Sequence, residues 1–279
     1  MNREEKIKLL LEKERYYFDD LVTVVELLRG EGGCPWDMEQ THKSIRNDFI
    51  EETYEVIEAI DTENPALLRE ELGDVMLQVV FHAQISNEEK DFDVDDVTND
   101  ICVKLIHRHP HVFGDVNAET SAEVLKNWEA IKSEEKSRVT VTDKLKAIPP
   151  MLPALMRATK VGKKAKCFDF PSAEDVMDKI SEELVEVSES MEEGNAEHIS
   201  EEIGDLLLSI TSLCRKLGIS AEEALNGATE KFISRFEQIE NEVLAQNKDI
   251  NDCSVEELDA IWSKNKKKTQ KTNKNTQKK

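Results

Sequence analysis

Hydrophobic residues recur along most of the chain at the spacing of amphipathic helices. Three segments carry the pattern clearly, with apolar positions three or four residues apart that fall on one helical face. They are Leu21, Val24, Val25 and Leu28; Leu72, Val75, Met76, Val79 and Val80; and Ile203, Leu206, Leu207 and Ile210. We expect each stripe to be buried against another helix, because an amphipathic helix hides its apolar face.

Residues that break helices cluster between these stripes. The longest interval of this kind, 133–153, contains Pro149, Pro150 and Pro153 and indicates a boundary between two domains. We predict an N-terminal helical domain over 1–135, a linker over 136–148, a C-terminal helical domain over 149–263 and a disordered tail over 264–279. The chain has only 10 Gly and 7 Pro in 279 residues, too few for a turn-dense all-β architecture. The predicted fold class is therefore all-α.

Charge and cysteine content narrow the range of functions. The net charge of −22 disfavours nucleic acid as the main ligand, because binding phosphates requires clustered Lys and Arg. The tail is the exception, with eight Lys and no acidic residue, a composition that cannot form a core. The five cysteines include no Cys-x-x-Cys pair, so we predict neither a disulfide framework nor a zinc site.

The chain also lacks the features of a membrane or exported protein. No run of residues approaches the roughly 18 apolar positions that a membrane span requires. The first residues, Met1–Lys6, are mostly charged and contain no apolar signal core. We therefore expect a cytoplasmic location and no membrane partner.

An internal repeat relates the two halves of the chain. The acidic motifs Glu51–Glu55 and Glu71–Asp74 recur as Glu182–Glu186 and Glu202–Asp205, each 131 positions later. Basic and aromatic residues follow in the same order in both halves: Lys104, Arg108, Trp128 and Lys132 in the first, and Lys231, Arg235, Trp262 and Lys266 in the second. The sequence therefore predicts a duplicated helical unit.

The repeated acidic residues predict a site for divalent cations. Glu52 and Glu55 are three residues apart on one predicted helix, and Glu71 and Asp74 are three apart on the next. If the two helices pack antiparallel, four or five carboxylates converge, and hard oxygen ligands in this number suit Mg²⁺ or Mn²⁺. The alternative is a solvated acidic face, which the second copy at the same spacing makes hard to sustain.

Proteins usually bind polyphosphates with Mg²⁺ together with Lys and Arg side chains, so we expect a nucleotide substrate. The two halves differ in one basic position. Lys179 precedes Glu183 by one helical turn, whereas the equivalent position in the first half is Asp48. The second half is therefore better equipped to bind a triphosphate.

The motifs closely resemble those of the MazG family of nucleoside triphosphate pyrophosphohydrolases. The segments that carry the resemblance are Gly33–His42, Glu51–Glu55, Glu71–Asp74, Arg108–Gly114, Glu182–Glu186 and Glu202–Asp205, and the match covers roughly residues 18 to 266. The resemblance implies an all-α fold of two MazG-type units, usually assembled as a homodimer whose four-helix bundles hold Mg²⁺. It also implies cleavage between the α and β phosphates, giving a nucleoside monophosphate and pyrophosphate, with an activated water as nucleophile.

The resemblance assigns roles to residues of both halves. The implied metal ligands are Glu183, Glu186, Glu202 and Asp205 in the second half, and Glu52, Glu55, Glu71 and Asp74 in the first. The implied substrate-binding residues are Lys179, Lys231, Arg235 and Trp262, followed in the first half by Lys104, Arg108 and Trp128. Glu182, and Glu51 at the same place in the first half, are our candidates for orienting or deprotonating the attacking water.

The leading hypothesis is a Mg²⁺-dependent pyrophosphohydrolase of broad specificity that clears non-canonical nucleotides or tunes nucleotide pools. One alternative is a non-enzymatic acidic helical protein that binds a partner. Another is a narrower pyrophosphatase of the same superfamily, acting on a deoxynucleotide such as dUTP or dCTP or on a phosphoribosyl nucleotide. The sequence leaves open the preferred base and which half turns over substrate.

Overall fold

The computed structural model describes residues 1–135 and 140–276, with side chains described as far as Asn265. Every regular element in these ranges is helical, so the predicted all-α class is confirmed. The chain divides into two units, Met1–Glu135 and Lys136–Lys279. In the described part of the chain, no helix is long and apolar enough to cross a membrane.

The first unit is built around the pairing of two long antiparallel helices. Its helices are α1 (Arg3–Leu11), α2 (Phe18–Arg29), α3 (Pro35–Glu39), α4 (Arg46–Asp61), α5 (Pro65–Glu89), α6 (Val94–Arg108), α7 (Pro110–Phe113) and α8 (Ser121–Glu135). Helices α4 and α5 form a hairpin, and α2 packs against α5. The buried core of this unit is formed by Val25, Ile45, Val80, Phe81 and Ile85.

The second unit repeats this plan. Its helices are α9 (Val141–Lys146), α10 (Ala154–Lys164), α11 (Ala173–Glu193), α12 (Ala196–Lys216), α13 (Ala221–Leu244) and α14 (Val255–Thr276), with short 3₁₀ turns at Lys166–Phe168 and Ile250–Asp252. Helices α11 and α12 form the hairpin, and α10 packs on α12 as α2 packs on α5. The duplication predicted from the sequence is therefore present in the structure.

The turns of the two hairpins are equivalent, and the same residue type caps the second helix in each. Asn64 and Asn195, 131 positions apart, cap α5 and α12 by accepting hydrogen bonds from two backbone N–H groups of the first turn. The residue before each cap has left-handed backbone geometry, with φ of 50° at Glu63 and 71° at Gly194. The second copy thus has glycine where this conformation requires it, and the first copy does not.

The predicted burial of the apolar stripes is correct in part. Val25 and Val80 are buried in the first unit. The prediction is wrong for Leu72 and Ile203, which are 48% and 44% exposed, because the interior at that end of each hairpin is occupied by carboxylates instead. Apolar side chains of both hairpins consequently face outward.

The predicted linker and the predicted disordered tail both differ from what the structure shows in the residues that it describes. The predicted linker contains the short helix α9, while its residues 136–139 lie outside the described residues. The tail predicted as disordered from Lys264 is helical as far as Thr276, because Lys and Gln favour helix and simply extend α14. Residues 277–279 lie outside the described residues.

An ion pair fixes the segment that leads into the second hairpin. The Asp169 carboxylate accepts hydrogen bonds from the guanidinium of Arg215 and, at 3.0 Å, from the ammonium of Lys216, both near the end of α12. These hydrogen bonds hold the pKa of Asp169 well below its usual value. The loop before α11 is thereby attached to the far end of its partner helix.

The difference between the two hairpin turns gives a stability prediction. Glu63→Gly should stabilise the first hairpin by about 0.5–1 kcal/mol, because glycine adopts left-handed geometry without the Cβ conflict. The matched substitution Gly194→Ala should destabilise the second hairpin by about 1 kcal/mol. A Cβ at Gly194 would meet no atom within 4 Å, so backbone conformation alone is being tested. Urea unfolding combined with hydrogen exchange measures the change in the free energy of unfolding of each hairpin. A change of the same sign in the two variants would contradict the prediction.

Candidate functional site

A cluster of carboxylates lies inside the hairpin of the first unit. Glu52 and Glu55 are one turn apart on α4 and meet Glu71 of α5, and the three side chains offer oxygen atoms within 4.8 Å of one another. Glu71 is buried, with 8% of its surface exposed. Burial, and after it the hydrogen bond and negative charge of Glu55, raises the pKa of Glu71. Burial and the charges of Asp74, Glu55 and Glu51 raise the pKa of Glu52 in the same way.

The second unit contains the same cluster. Glu183 and Glu186 of α11 and Glu202 of α12 offer oxygen atoms within 4.8 Å of one another. Glu183 is the most deeply buried of the three, with 4% of its surface exposed. Its Oε2 atom is buried without a hydrogen-bond partner among the described residues. A buried carboxylate oxygen of this kind is costly unless a cation or donor binds it.

Lysine 179 distinguishes the second cluster from the first. Its ammonium lies 3.0 Å from Glu183 Oε1, 2.9 Å from Glu182 Oε1 and 3.9 Å from Glu186 Oε2. Hydrogen bonds to Glu182 and Glu183 raise the pKa of Lys179. Burial raises the pKa of Glu186, although the nearby Lys179 ammonium opposes the shift. Asp48 stands at the equivalent position of the first unit, where the sequence predicts no such cation.

His198 is a site residue that the sequence reasoning missed. It lies on α12 one turn before Glu202, and its Nε2 atom is 3.1 Å from Glu202 Oε1. Its Nδ1 atom is 2.9 Å from Glu193 Oε2 at the end of α11. The hydrogen bond to Glu193 leads the interactions that raise the pKa of His198. The spacing of four residues between His198 and Glu202 was the available signal, and Leu67 occupies the equivalent position of the first unit.

The remaining predicted metal ligands and the two candidate bases lie at the edge of the clusters. Asp74 is close enough for its charge to act on Glu52 and Glu71, but it stands outside the group of three. Asp205 is exposed and likewise outside its group. Glu182 is paired with Lys179, and Glu51 is exposed. Their assigned roles stay predictions.

Two of the predicted nucleotide-binding residues of the second unit, Arg235 and Trp262, lie together in an aromatic group. The guanidinium of Arg235 lies 5.6 Å from the ring centre of Trp262, and the ring of Phe232 is 5.4 Å from the same indole. Phe232, which the sequence reasoning missed, also stacks on Phe236 one turn further along α13. Lys231 is exposed nearby. No hydrogen bond, ion pair or ring contact of the described side chains joins this group to the carboxylates.

In the equivalent group of the first unit, the arginine is paired with a glutamate. Arg108 is buried and lies 5.3 Å from the ring centre of Trp128, which also packs edge-on against His109. Its guanidinium donates to both carboxylate oxygens of Glu135 through Nε and Nη2. Glu135 was not predicted, because nothing in its sequence position relates it to Arg108. Lys104 is exposed to solvent. The guanidinium that would bind phosphate is thus already neutralised in this unit.

The chemistry of both carboxylate clusters fits a small hard cation. Each offers three convergent oxygen ligands from two helices, which is the ligand type that Mg²⁺ and Mn²⁺ prefer. The buried Oε2 atom of Glu183, which has no hydrogen-bond partner among the described residues, would gain one from such a cation. Burial, and after it the repulsion of neighbouring carboxylates, raises the pKa values of Glu52 and Glu71, and a bound cation would offset both effects.

Comparison with known proteins gives the same picture. The model of the MazG nucleotide pyrophosphohydrolase domain matches residues 40–113 and 171–239. These ranges contain the two hairpins, with α6 and α7 after the first and most of α13 after the second. A Thermotoga maritima protein named nucleoside triphosphate pyrophosphohydrolase/pyrophosphatase MazG is 43% identical over 251 residues, covering 89% of this chain and 95% of the relative. An Escherichia coli K12 protein named nucleoside triphosphate pyrophosphohydrolase is 43% identical over 254 residues, covering 89% and 97%. The duplicated carboxylate hairpins and these similarities together establish that the chain belongs to the MazG family of nucleotide pyrophosphohydrolases.

Proposed function

We propose that this protein is a Mg²⁺-dependent nucleoside triphosphate pyrophosphohydrolase that releases a nucleoside monophosphate and pyrophosphate. The observation that carries the proposal is the buried cluster of Glu183, Glu186 and Glu202 with a basic residue, Lys179, in contact with it. The family is one of hydrolases acting on acid anhydrides, so the alternative of a non-enzymatic acidic protein is set aside. Clearing of non-canonical nucleotides is the role we propose for the reaction.

The second unit is the one that we propose to be catalytic. It alone has both Lys179 and His198 beside the carboxylates, where the first unit has Asp48 and Leu67. Its Arg235 lies on Trp262 without a carboxylate partner among the described side chains, whereas Arg108 is engaged by Glu135. Of these two equivalent arginines, Arg235 is therefore the one whose guanidinium is available to a triphosphate.

The residues of the second unit divide the work of the reaction. Glu183, Glu186, Glu202 and Asp205 would hold Mg²⁺, which when bound neutralises phosphate charge and activates water. Lys179, Lys231 and Arg235 would bind the triphosphate and offset the charge that develops on the leaving pyrophosphate. Trp262 presents an aromatic face for the base. Glu182, exposed beside the cluster, would orient the attacking water and accept its proton.

A homodimer is the assembly that the outward apolar faces support. Leu207 and Met191 are 47% and 63% exposed on α12 and α11, and the equivalent Met76 and Ile60 of the first unit are 46% and 55% exposed. Exposed apolar faces of this extent mark interaction surfaces. We propose that each hairpin packs against its counterpart in a second copy, since a two-fold interface is self-complementary and completes a four-helix bundle. The cytoplasmic location stays a prediction.

The first test is product analysis with a panel of canonical and modified nucleoside triphosphates, including dUTP and dCTP, and a phosphoribosyl nucleotide. In Mg²⁺ we expect monophosphate and pyrophosphate in equal amounts. EDTA should abolish turnover, because without the cation the carboxylates and the phosphates repel each other. Chromatography identifies the products, and the ranking of substrates separates broad from narrow specificity. Diphosphate and orthophosphate as products would contradict the proposed cleavage position.

A matched pair of substitutions tests which unit is catalytic. Glu183→Gln keeps the shape of the side chain but removes a metal ligand, and we expect kcat to fall by about 100-fold or more. The equivalent substitution in the first unit, Glu52→Gln, should leave kcat within about twofold. Circular dichroism should show unchanged helix content in both variants. A loss in Glu52→Gln as large as that in Glu183→Gln would assign turnover to both units.

The dimer is tested by placing a charge on the outward face of the second hairpin. Leu207→Glu should shift the protein toward monomer, because burying an unpaired carboxylate at an interface costs several kcal/mol. The control is Leu217→Glu, a substitution at a position that is 56% exposed just beyond the end of α12. Light scattering coupled to size exclusion gives the mass of each variant. An unchanged dimer mass for Leu207→Glu would remove this face from the interface.

A further inference from the structure

The two carboxylate clusters differ in how their charge is balanced. In the second unit the Lys179 ammonium reaches three carboxylates, at 2.9 Å from Glu182, 3.0 Å from Glu183 and 3.9 Å from Glu186. In the first unit, no ion pair of the described residues reaches Glu52, Glu55 or Glu71. The negative charge of the second cluster is therefore partly neutralised by a lysine of the same chain, whereas that of the first cluster is not neutralised by any ion pair of the described residues.

Lys179 contacts two of the carboxylates that a divalent cation would need. Its nearest buried partner is Glu183 Oε1, and Glu183 and Glu186 both belong to the group of three convergent ligands. An ammonium and a metal ion carry like charges, so they cannot both lie close to these two carboxylates without repelling each other. A cation that binds in this cluster must therefore displace the Lys179 ammonium or bind against its repulsion.

The position of Lys179 allows its ammonium to be displaced. Its side chain is 30% exposed and is carried on a flexible four-carbon stem, one turn before Glu183 on α11. A bound triphosphate carries more negative charge than Glu182 and Glu183 together and would offer this ammonium a stronger anionic partner. Leaving the cluster would also release Glu182 from its ion pair.

We propose that Lys179 is a displaceable cation that makes metal and triphosphate bind cooperatively in the second unit. In the nucleotide-free protein its ammonium occupies the carboxylates and weakens binding of the divalent cation. A triphosphate draws the ammonium away, so that the cation binds more tightly and Glu182 becomes free to orient water. The first cluster, with Asp48 in place of the lysine, binds the cation without any need for nucleotide. This inference rests on the proposed function of the second unit.

Titration of the full-length protein with Mn²⁺ in the absence of nucleotide tests the proposal, with free Mn²⁺ followed by electron paramagnetic resonance. Two classes of site are expected, the tighter one removed by Glu52→Gln and the weaker one by Glu183→Gln. Lys179→Gln should tighten the weaker site by ~10-fold, because the competing charge is gone. Lys179→Arg, which keeps a cation, should not tighten it.

The reciprocal substitution gives an independent readout in the other unit. Asp48→Lys should weaken the Mn²⁺ site of the first unit by a similar factor, in a hairpin without a residue equivalent to His198. Asp48→Asn removes charge at that position without adding a cation and is the control. This comparison keeps the proposal testable if Lys179→Gln disturbs the second hairpin.

Cooperativity is measured with a triphosphate analogue that has a methylene bridge between the α and β phosphorus atoms. The analogue should tighten Mn²⁺ binding to the second site by ~10-fold in the unsubstituted protein and by much less in Lys179→Gln. Unchanged or weaker Mn²⁺ affinity of Lys179→Gln without nucleotide, together with an unaltered first site in Asp48→Lys, would overturn the proposal. The proposed function fails separately, if Glu183→Gln keeps its turnover.

Discussion

Repulsion between carboxylates that the fold encloses is the constraint on which the rest of this structure depends. In each unit, two consecutive helices form a hairpin whose inner face carries glutamates where a typical hairpin carries apolar residues. Glu71 and Glu183 are among the more buried side chains of the protein. Such an interior costs free energy unless cations fill it, so the hairpin is shaped for a ligand more than for its own stability.

The same constraint explains where the apolar residues go. Because acids occupy the inside, the leucines, isoleucines and methionines of these helices point outward at equivalent positions of both copies. The remaining stability of each unit comes from other contacts: α2 and α10 pack on the hairpins, and asparagine caps fix the turns. The proposed function and the proposed dimer are thereby connected, since the glutamates that form each carboxylate cluster also leave apolar side chains exposed on the outer face.

Much of this arrangement could be predicted from the sequence, and the exceptions have physical causes. Helical periodicity and the 131-residue offset predict the fold class and the duplicated acidic hairpins, because both are local patterns that repeat. The burial of Leu72 and Ile203 was predicted wrongly, because periodicity identifies an apolar face without saying whether the same chain covers it. The Arg108–Glu135 pair and the contact of His198 with Glu193 depend on how helices meet in space, and spacing along one helix says nothing about that.

The two copies also differ in where a helix stops. In the first unit α6 ends at Arg108, because Pro110 disfavours helical geometry at His109, whereas in the second unit α13 continues past Arg235 to Leu244. Arg108 thus lies at a helix carboxyl end, where the unpaired carbonyl groups attract a cation, and Arg235 lies in mid-helix without that field. A single proline thus places one arginine at a helix terminus, where it pairs with Glu135, and its absence from the second copy leaves the duplicate arginine in mid-helix, against Trp262.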